Sequence, residues 1–149
     1  MATIPLPPDF STFLKLLGEH EVEYLLIGGY AVGYHGYVRA TADMDIWISR
    51  DQATAERMVT VLKAFGFAVP DLNAALFLDP DCIVRMGVPP HRIEIMMFVD
   101  GVEFEACYAA REIATWDDVR VNVISLEHLK QNKRASGRLK DLADLDYLD

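Results

Sequence analysis

The sequence predicts a single α+β domain, and three observations predict it. The apolar run Tyr24–Ile27 reads as a buried strand, and Met44–Ile48, apolar but for Asp45, as a second strand. Between them come helical patterns, as in Ala55, Met58, Val59 and Leu62 at i, i+3, i+4 and i+7. The 149 residues, 52% hydrophobic and 25% charged, are enough for one core and show neither a repeat nor a linker. The expectation is one domain over residues 1–149, with a mostly antiparallel or mixed sheet flanked by helices.

Each element follows from local chemistry. Pro5, Pro7 and Pro8 keep the first residues extended, so a helix can begin near Asp9 or Ser11. Phe13, Leu14, Leu16 and Leu17 give that helix an apolar side, and Gly18 is its stop signal. The strand Tyr24–Ile27 is cut off by Gly28-Gly29, and a short helical stretch runs through Ala31 and Tyr34 to Gly36. After the strand Met44–Ile48, Ser49 and Gln52 form an S-x-x-Q capping box for a helix that Gly66 ends. Pro70, Pro80, Pro89 and Pro90 break up the next stretch, leaving room for short strands near 76–78 and 83–85. Residues 92–99 alternate as a strand, and Asp100-Gly101 is a two-residue hairpin signal, so a return strand is expected from Val102. A short helix over 106–111 and a strand over 119–124 follow. Ser125 caps a last helix running to Leu148 with a break at Gly137.

Composition excludes several functions. A net charge of −9 argues against a chain that coats duplex nucleic acid unaided, because phosphate neutralisation needs Lys and Arg. The longest weakly polar run, 24–38, holds four glycines and His35 and falls short of the ~18–20 apolar residues of a membrane span. The N-terminal residues lack a basic segment followed by an apolar one. Cys82 and Cys107 have no paired spacing, which indicates small core residues in a reduced, cytoplasmic compartment.

Two strands carry the candidate chemistry. Asp43 and Asp45 stand at i and i+2, so both leave one face while Met44, Ile46 and Ile48 face the core. In Arg92-Ile93-Glu94-Ile95-Met96-Met97 the design repeats, with Glu94 opposite in facing to Ile93, Ile95 and Met97. If the strands are neighbours, Asp43, Asp45 and Glu94 converge. Convergent carboxylates raise one another's pKa unless a cation neutralises them, and hard oxygen donors suit Mg²⁺ or Mn²⁺. Two such ions ~3.5–4 Å apart serve phosphoryl or nucleotidyl transfer. The same alternation also describes a plain solvated strand face.

Gly28-Gly29 offers backbone N–H groups that can cradle a phosphate, with the helix dipole assisting, or simply a tight turn. It is not a dinucleotide fingerprint. Lys130, Lys133, Arg134, Arg138 and Lys140 place five bases and no acid in residues 130–140. That run can meet a triphosphate or an RNA end, or be a solvated face. Arg39, four residues before Asp43, is a further phosphate candidate, and His35 is read as a packing histidine over a base.

Together these pieces resemble the nucleotidyltransferase superfamily with the DNA polymerase β-like fold. Within it they look most like small prokaryotic proteins related to AbiEii-type toxins. The carrying residues are Tyr24-Leu-Leu-Ile-Gly28-Gly29-Tyr30-Ala31, His35-Gly36, and Arg39-Ala-Thr41-Ala-Asp43-Met-Asp45-Ile46. Later matches are Gly87-Val-Pro89-Pro90-His-Arg92-Ile93-Glu94-Ile95 and Asn132-Lys133-Arg134-Ala135-Ser136-Gly137-Arg138-Leu139-Lys140-Asp141.

The resemblance implies a metal-dependent enzyme that moves an NMP from an NTP to a hydroxyl on a protein, an RNA end or a small molecule. It implies Mg²⁺ or Mn²⁺ on Asp43, Asp45 and Glu94, and nucleotide contacts from Gly28, Gly29, Arg39 and Lys133. Most relatives carry Asp where this chain has Glu94, one methylene longer, and often Ser where it has Gly29. Full AbiEii-type toxins have a further helical region, so the expectation is that the acceptor-binding half is either missing or supplied by a partner chain, a protein encoded nearby or a second copy. The alternative is an inactive nucleotidyltransferase-fold module that acts as an antitoxin through a partner protein.

Overall fold

In the computed structural model, which describes residues 6–37, 41–87 and 91–148, the strands form one six-stranded mixed sheet. In chain order the elements are α1 (Pro8–Glu19), β1 (Tyr24–Ile27), α2 (Gly28–Tyr34), β2 (Met44–Ile48), α3 (Gln52–Ala64), β3 (Ile83–Met86) and β4 (Ile93–Met96). Then follow α4 (Phe104–Ala109), β5 (Glu112–Trp116), β6 (Val119–Val123), α5 (Leu126–Ser136) and α6 (Leu139–Leu145). The sheet order is β3-β4-β2-β1-β6-β5. β2 runs antiparallel to β1 and parallel to β4, while β6 runs parallel to β1. The expected α+β architecture with a mixed sheet is what forms.

The sequence explains the layers. Phe10, Phe13, Leu14 and Leu17 bury one side of α1, and Phe13 meets Phe65 beyond α3 edge to face at 5.2 Å. Met44, Ile46 and Ile48 are fully buried on one face of β2. Asp45 and Trp47 share the other face, where Trp47 meets Phe104 of α4 at 5.2 Å. Thus α4 covers the far end of that face and leaves the end bearing Asp43 and Asp45 open.

Several local expectations are corrected. Asp100-Gly101 makes no hairpin, because β4 already has β2 on one edge and β3 on the other, and no edge is left for a returning strand. Its carbonyls instead accept hydrogen bonds from Asn132 and Gln131 of α5 at 2.9 Å each. A Cβ on Gly101, at φ +79°, would strike the Ala135 methyl. The tight hairpin lies at Asp117-Asp118, both at positive φ, joining β5 to β6. β5 itself was not foreseen.

Asp51, not Ser49, caps α3. Its carboxylate accepts from the Thr54 N–H at 2.8 Å, and Ser49 donates its hydroxyl to the same carboxylate. The strand expected at 76–78 is a 3₁₀ turn, Ala74–Phe77, capped by the Asn73 side chain. The basic run is split, because Gly137 at φ +64° ends α5 in a left-handed cap. Ser125 caps α5 as expected, accepting from the His128 N–H.

α5 and α6 are clasped by buried charge. Lys133, 3% exposed, bonds Asp141 at 2.9 Å and Asp144 at 3.1 Å. Burial pushes the Asp141 carboxyl up, but bonds from Ser136, Lys133 and Arg138 outweigh it and hold it at about 2. A depressed folded pKa gives stability that is fully present above the unfolded value near 4 and is lost as pH falls toward 2. Lys133→Met strands two buried carboxylates, so it should destabilise the fold by about 3–5 kcal/mol at pH 7 in urea unfolding.

Candidate active site

The site grows from the register of three strands. Asp45 on β2 pairs with Ile27 on β1 and with Glu94 on β4, and Glu94 pairs with Arg85 on β3. Neighbouring strands lie about 4.8 Å apart, so Asp45 and Glu94 leave the same face side by side. Asp43 stands on that face just before β2, and its side chain reaches Arg92 at the entry to β4. The three expected carboxylates are therefore brought together.

Gly28 shapes the floor. It has φ +69°, and a Cβ on it would land on the Asp45 carboxylate, so only glycine lets β1 turn into α2 at this distance from β2. The Gly28-Gly29 turn and the three carboxylates line one cavity of about 710 Å³. Lys133, Arg138 and Lys140 form its opposite wall, and Ile83 of β3, Met96 of β4 and Phe98 just beyond β4 an apolar shelf. Phe98 is 59% exposed.

Charges lining the cavity and beside it are unevenly matched. Arg92 reaches both oxygens of Asp43, at 3.4 Å from Nε to Oδ1 and 3.2 Å from Nη2 to Oδ2. Arg85 donates from Nε to Glu94 Oε1 at 3.2 Å, and Arg92 stands 4.0 Å from that oxygen. Asp45 has neither hydrogen bond nor ion pair among the described residues. Burial, then Glu94 and Asp43, push its carboxyl up to about 7, against the weaker pull of Lys140 and Lys133. Among the described residues no three His, Cys, Asp or Glu side chains are disposed to hold a metal ion. Two of the carboxylates are turned onto arginines instead.

The donor set itself suits a hard divalent cation: three carboxylates on adjoining strands, one of them half-buried with no cation in contact among the described residues. Lys133 lines the cavity, but its ammonium is committed to Asp141 and Asp144. Arg39 lies outside the described residues. His35 is a packing residue as expected, its Nε2 2.7 Å from the Ile124 carbonyl. Cys107 is buried in the core and Cys82 half-buried; both are free thiols.

Sequence reasoning missed Arg85 and Arg92. The signal was present, since Arg92 and Glu94 alternate on one strand face, but Arg85 needed the β3–β4 pairing.

No protein-family model matches the sequence, and no curated protein does. Solved structures do. A candidate nucleotidyltransferase from Thermotoga maritima superposes with a TM-score of 0.61 at 14% identity, over 93% of this chain and 88% of that one. An antigenic nucleotidyltransferase-like protein from Paracoccidioides brasiliensis gives 0.53 at 18% identity, over 97% and 78%. The fold is that of the nucleotidyltransferases. In this nucleotidyltransferase fold no described helix is long and apolar enough to cross a membrane.

The raised Asp45 carboxyl carries a pH signature. Between the unfolded value near 4 and the folded value near 7, the folded chain holds a proton that the unfolded chain has lost, so stability falls as pH rises through that window. Asp45→Asn removes the penalty. In EDTA at pH 8 this variant should be more stable than wild type, by up to about 4 kcal/mol, and the gain should vanish by about pH 4, as read by denaturant unfolding.

Proposed function

We propose that this chain is a metal-dependent nucleotidyltransferase that moves an NMP from an NTP to a hydroxyl acceptor. The observation that carries the reading is the pairing of Asp45 with Glu94 beside the Gly28-Gly29 turn, at one cavity of a nucleotidyltransferase fold. The acceptor oxygen attacks the α-phosphorus, the α–β phosphoanhydride bond breaks, and pyrophosphate leaves with the electron pair.

Asp43, Asp45 and Glu94 would hold Mg²⁺ or Mn²⁺, which when bound supplies Lewis acidity at the acceptor hydroxyl and at the phosphates. Glu94 stands on the β3–β4 side, where it accepts the acceptor's proton. The backbone amides of Gly28 and Gly29 orient the outgoing pyrophosphate. Arg138 and Lys140 add positive charge from the opposite wall, with Arg39 as a further phosphate contact. Lys133 acts on phosphate less as a free cation than as the post that fixes this wall, because its ammonium is held between Asp141 and Asp144. Backbone amides and carboxylates held by strand register are oriented before the reaction begins, which is where such sites gain most of their rate.

Finer features belong to the same proposal: a cytoplasmic protein that works in a toxin–antitoxin pair with a protein encoded nearby or as a homo-oligomer, with an RNA end among its possible acceptors. One observation favours a second reading. The arginines on Asp43 and Glu94 are what an inactive binding module would keep in place of metal. Such a module would show no thermal shift with NTP and Mg²⁺ while binding a co-encoded protein tightly.

Incubation with each labelled NTP, Mg²⁺ or Mn²⁺, and a mixture of cell RNA and protein separates the two. Label should pass to an acceptor with wild type. Asp43→Asn and Asp45→Asn should each lower transfer by about 100-fold or more with the fold retained by circular dichroism. Full activity in either variant would sink the assignment.

A further inference from the structure

Arg85 and Arg92 stand where a metal would draw on the same oxygens. Arg92 grips both oxygens of Asp43, and Arg85 grips Glu94 through Nε. Both guanidiniums are reachable from solvent, with side-chain exposures of 55% for Arg85 and 35% for Arg92. Neither is locked by burial, so each can leave its carboxylate by rotating its own side chain. Arg85 lies on β3, the edge strand of the sheet among the described residues, and it lines the same cavity as Gly28 and Gly29.

We infer that Arg85 and Arg92 are built-in counter-ions that hold the carboxylates until a metal and a polyanion arrive together, and then turn to the polyanion's phosphates. The inference rests on the reading of Asp43, Asp45 and Glu94 as metal ligands. Its logic is electrostatic. Two divalent cations added to three carboxylates that already hold two guanidiniums leave the cavity strongly positive. A triphosphate or pyrophosphate restores the balance, and it offers the displaced guanidiniums oxygens at which they bond as well as they did to carboxylate. Metal alone therefore binds weakly, and metal with polyphosphate binds tightly. Asp45 is left free of arginine, so it is the carboxylate open to the first contact with metal. The arrangement of side chains agrees: the three acids converge by strand register, yet no three described side chains are disposed to hold a metal while the arginines are in place.

The test uses the full chain. Mn²⁺ alone is titrated by electron paramagnetic resonance against wild type, Arg85→Gln, Arg92→Gln and the double variant. The double variant should bind Mn²⁺ about tenfold more tightly than wild type, and adding Asp45→Asn to it should erase the gain. Inorganic pyrophosphate at saturating Mn²⁺ should bind the double variant about tenfold more weakly than wild type. Mn²⁺ affinity that is equal or lower in a folded double variant overturns the inference and leaves the metal reading standing. An unchanged pyrophosphate affinity overturns the inference as well. No Mn²⁺ binding to any of the proteins, with or without pyrophosphate, overturns the metal reading and the inference with it. A measurement on the unmutated chain guards against variants that fail to fold. Adding Mg²⁺ and pyrophosphate should shift the Arg85 Nε–H resonance, and a resonance that does not move overturns the inference.

Discussion

The parallel pairing of β2 with β4 sets one carboxylate directly against another, and much of the molecule answers that repulsion. Two carboxylates about 5 Å apart repel by about 3 kcal/mol at an effective dielectric of about 20. Burial of Asp45 adds to the penalty and is its largest part. The chain could have avoided it with a polar neutral residue on either strand. It keeps the acids and surrounds them with compensation instead: Arg92 on Asp43, Arg85 on Glu94, and Lys140 and Lys133 at longer range. Among the described residues Asp45 alone of the three acids has no ion-pair partner at contact distance, and it is the residue over which Gly28 closes.

A second buried network keeps the far wall in place. Lys133, Asp141 and Asp144 join α5 to α6 across the Gly137 break, and Asn132 and Gln131 reach back to the Asp100-Gly101 turn at the end of β4. The wall opposite the carboxylates is therefore tied to the strand that carries Glu94. A buried cation with two carboxylates adds little net stability over apolar packing, but removing one member is costly. That asymmetry makes the network a positioning device more than a source of stability. It is also why Lys133 cannot serve as a freely swinging phosphate ligand.

Much of the fold was legible because it rests on local periodicity. Tyr24–Ile27 is an apolar run and Met44–Ile48 is apolar except for Asp45; both read as strands, and both have the expected bounds. The Ser125 cap and the Gly137 break were equally local. Failures came where local chemistry met a tertiary constraint. Asp100-Gly101 is a sound hairpin turn by itself, yet both edges of β4 are occupied, so the turn docks on α5. Asp117-Asp118, a poorer signal on paper, makes the real hairpin because β6 needs an antiparallel neighbour at the sheet's edge.

The sequence alone determined which face of each strand carries acid and which enters the core, because alternation is a property of the chain's own geometry. It determined that the chain turns at Gly28-Gly29, while the reason only glycine fits at 28, the Asp45 carboxylate beside it, came from the structure. It did not determine that Asp45 and Glu94 are neighbours, since their separation along the chain says nothing of pairing. Nor did it reveal that Arg85 faces Glu94, or that Lys133 is held by Asp141 and Asp144. Those facts depend on register and on how helices close over a sheet, and the packing of the whole core decides both.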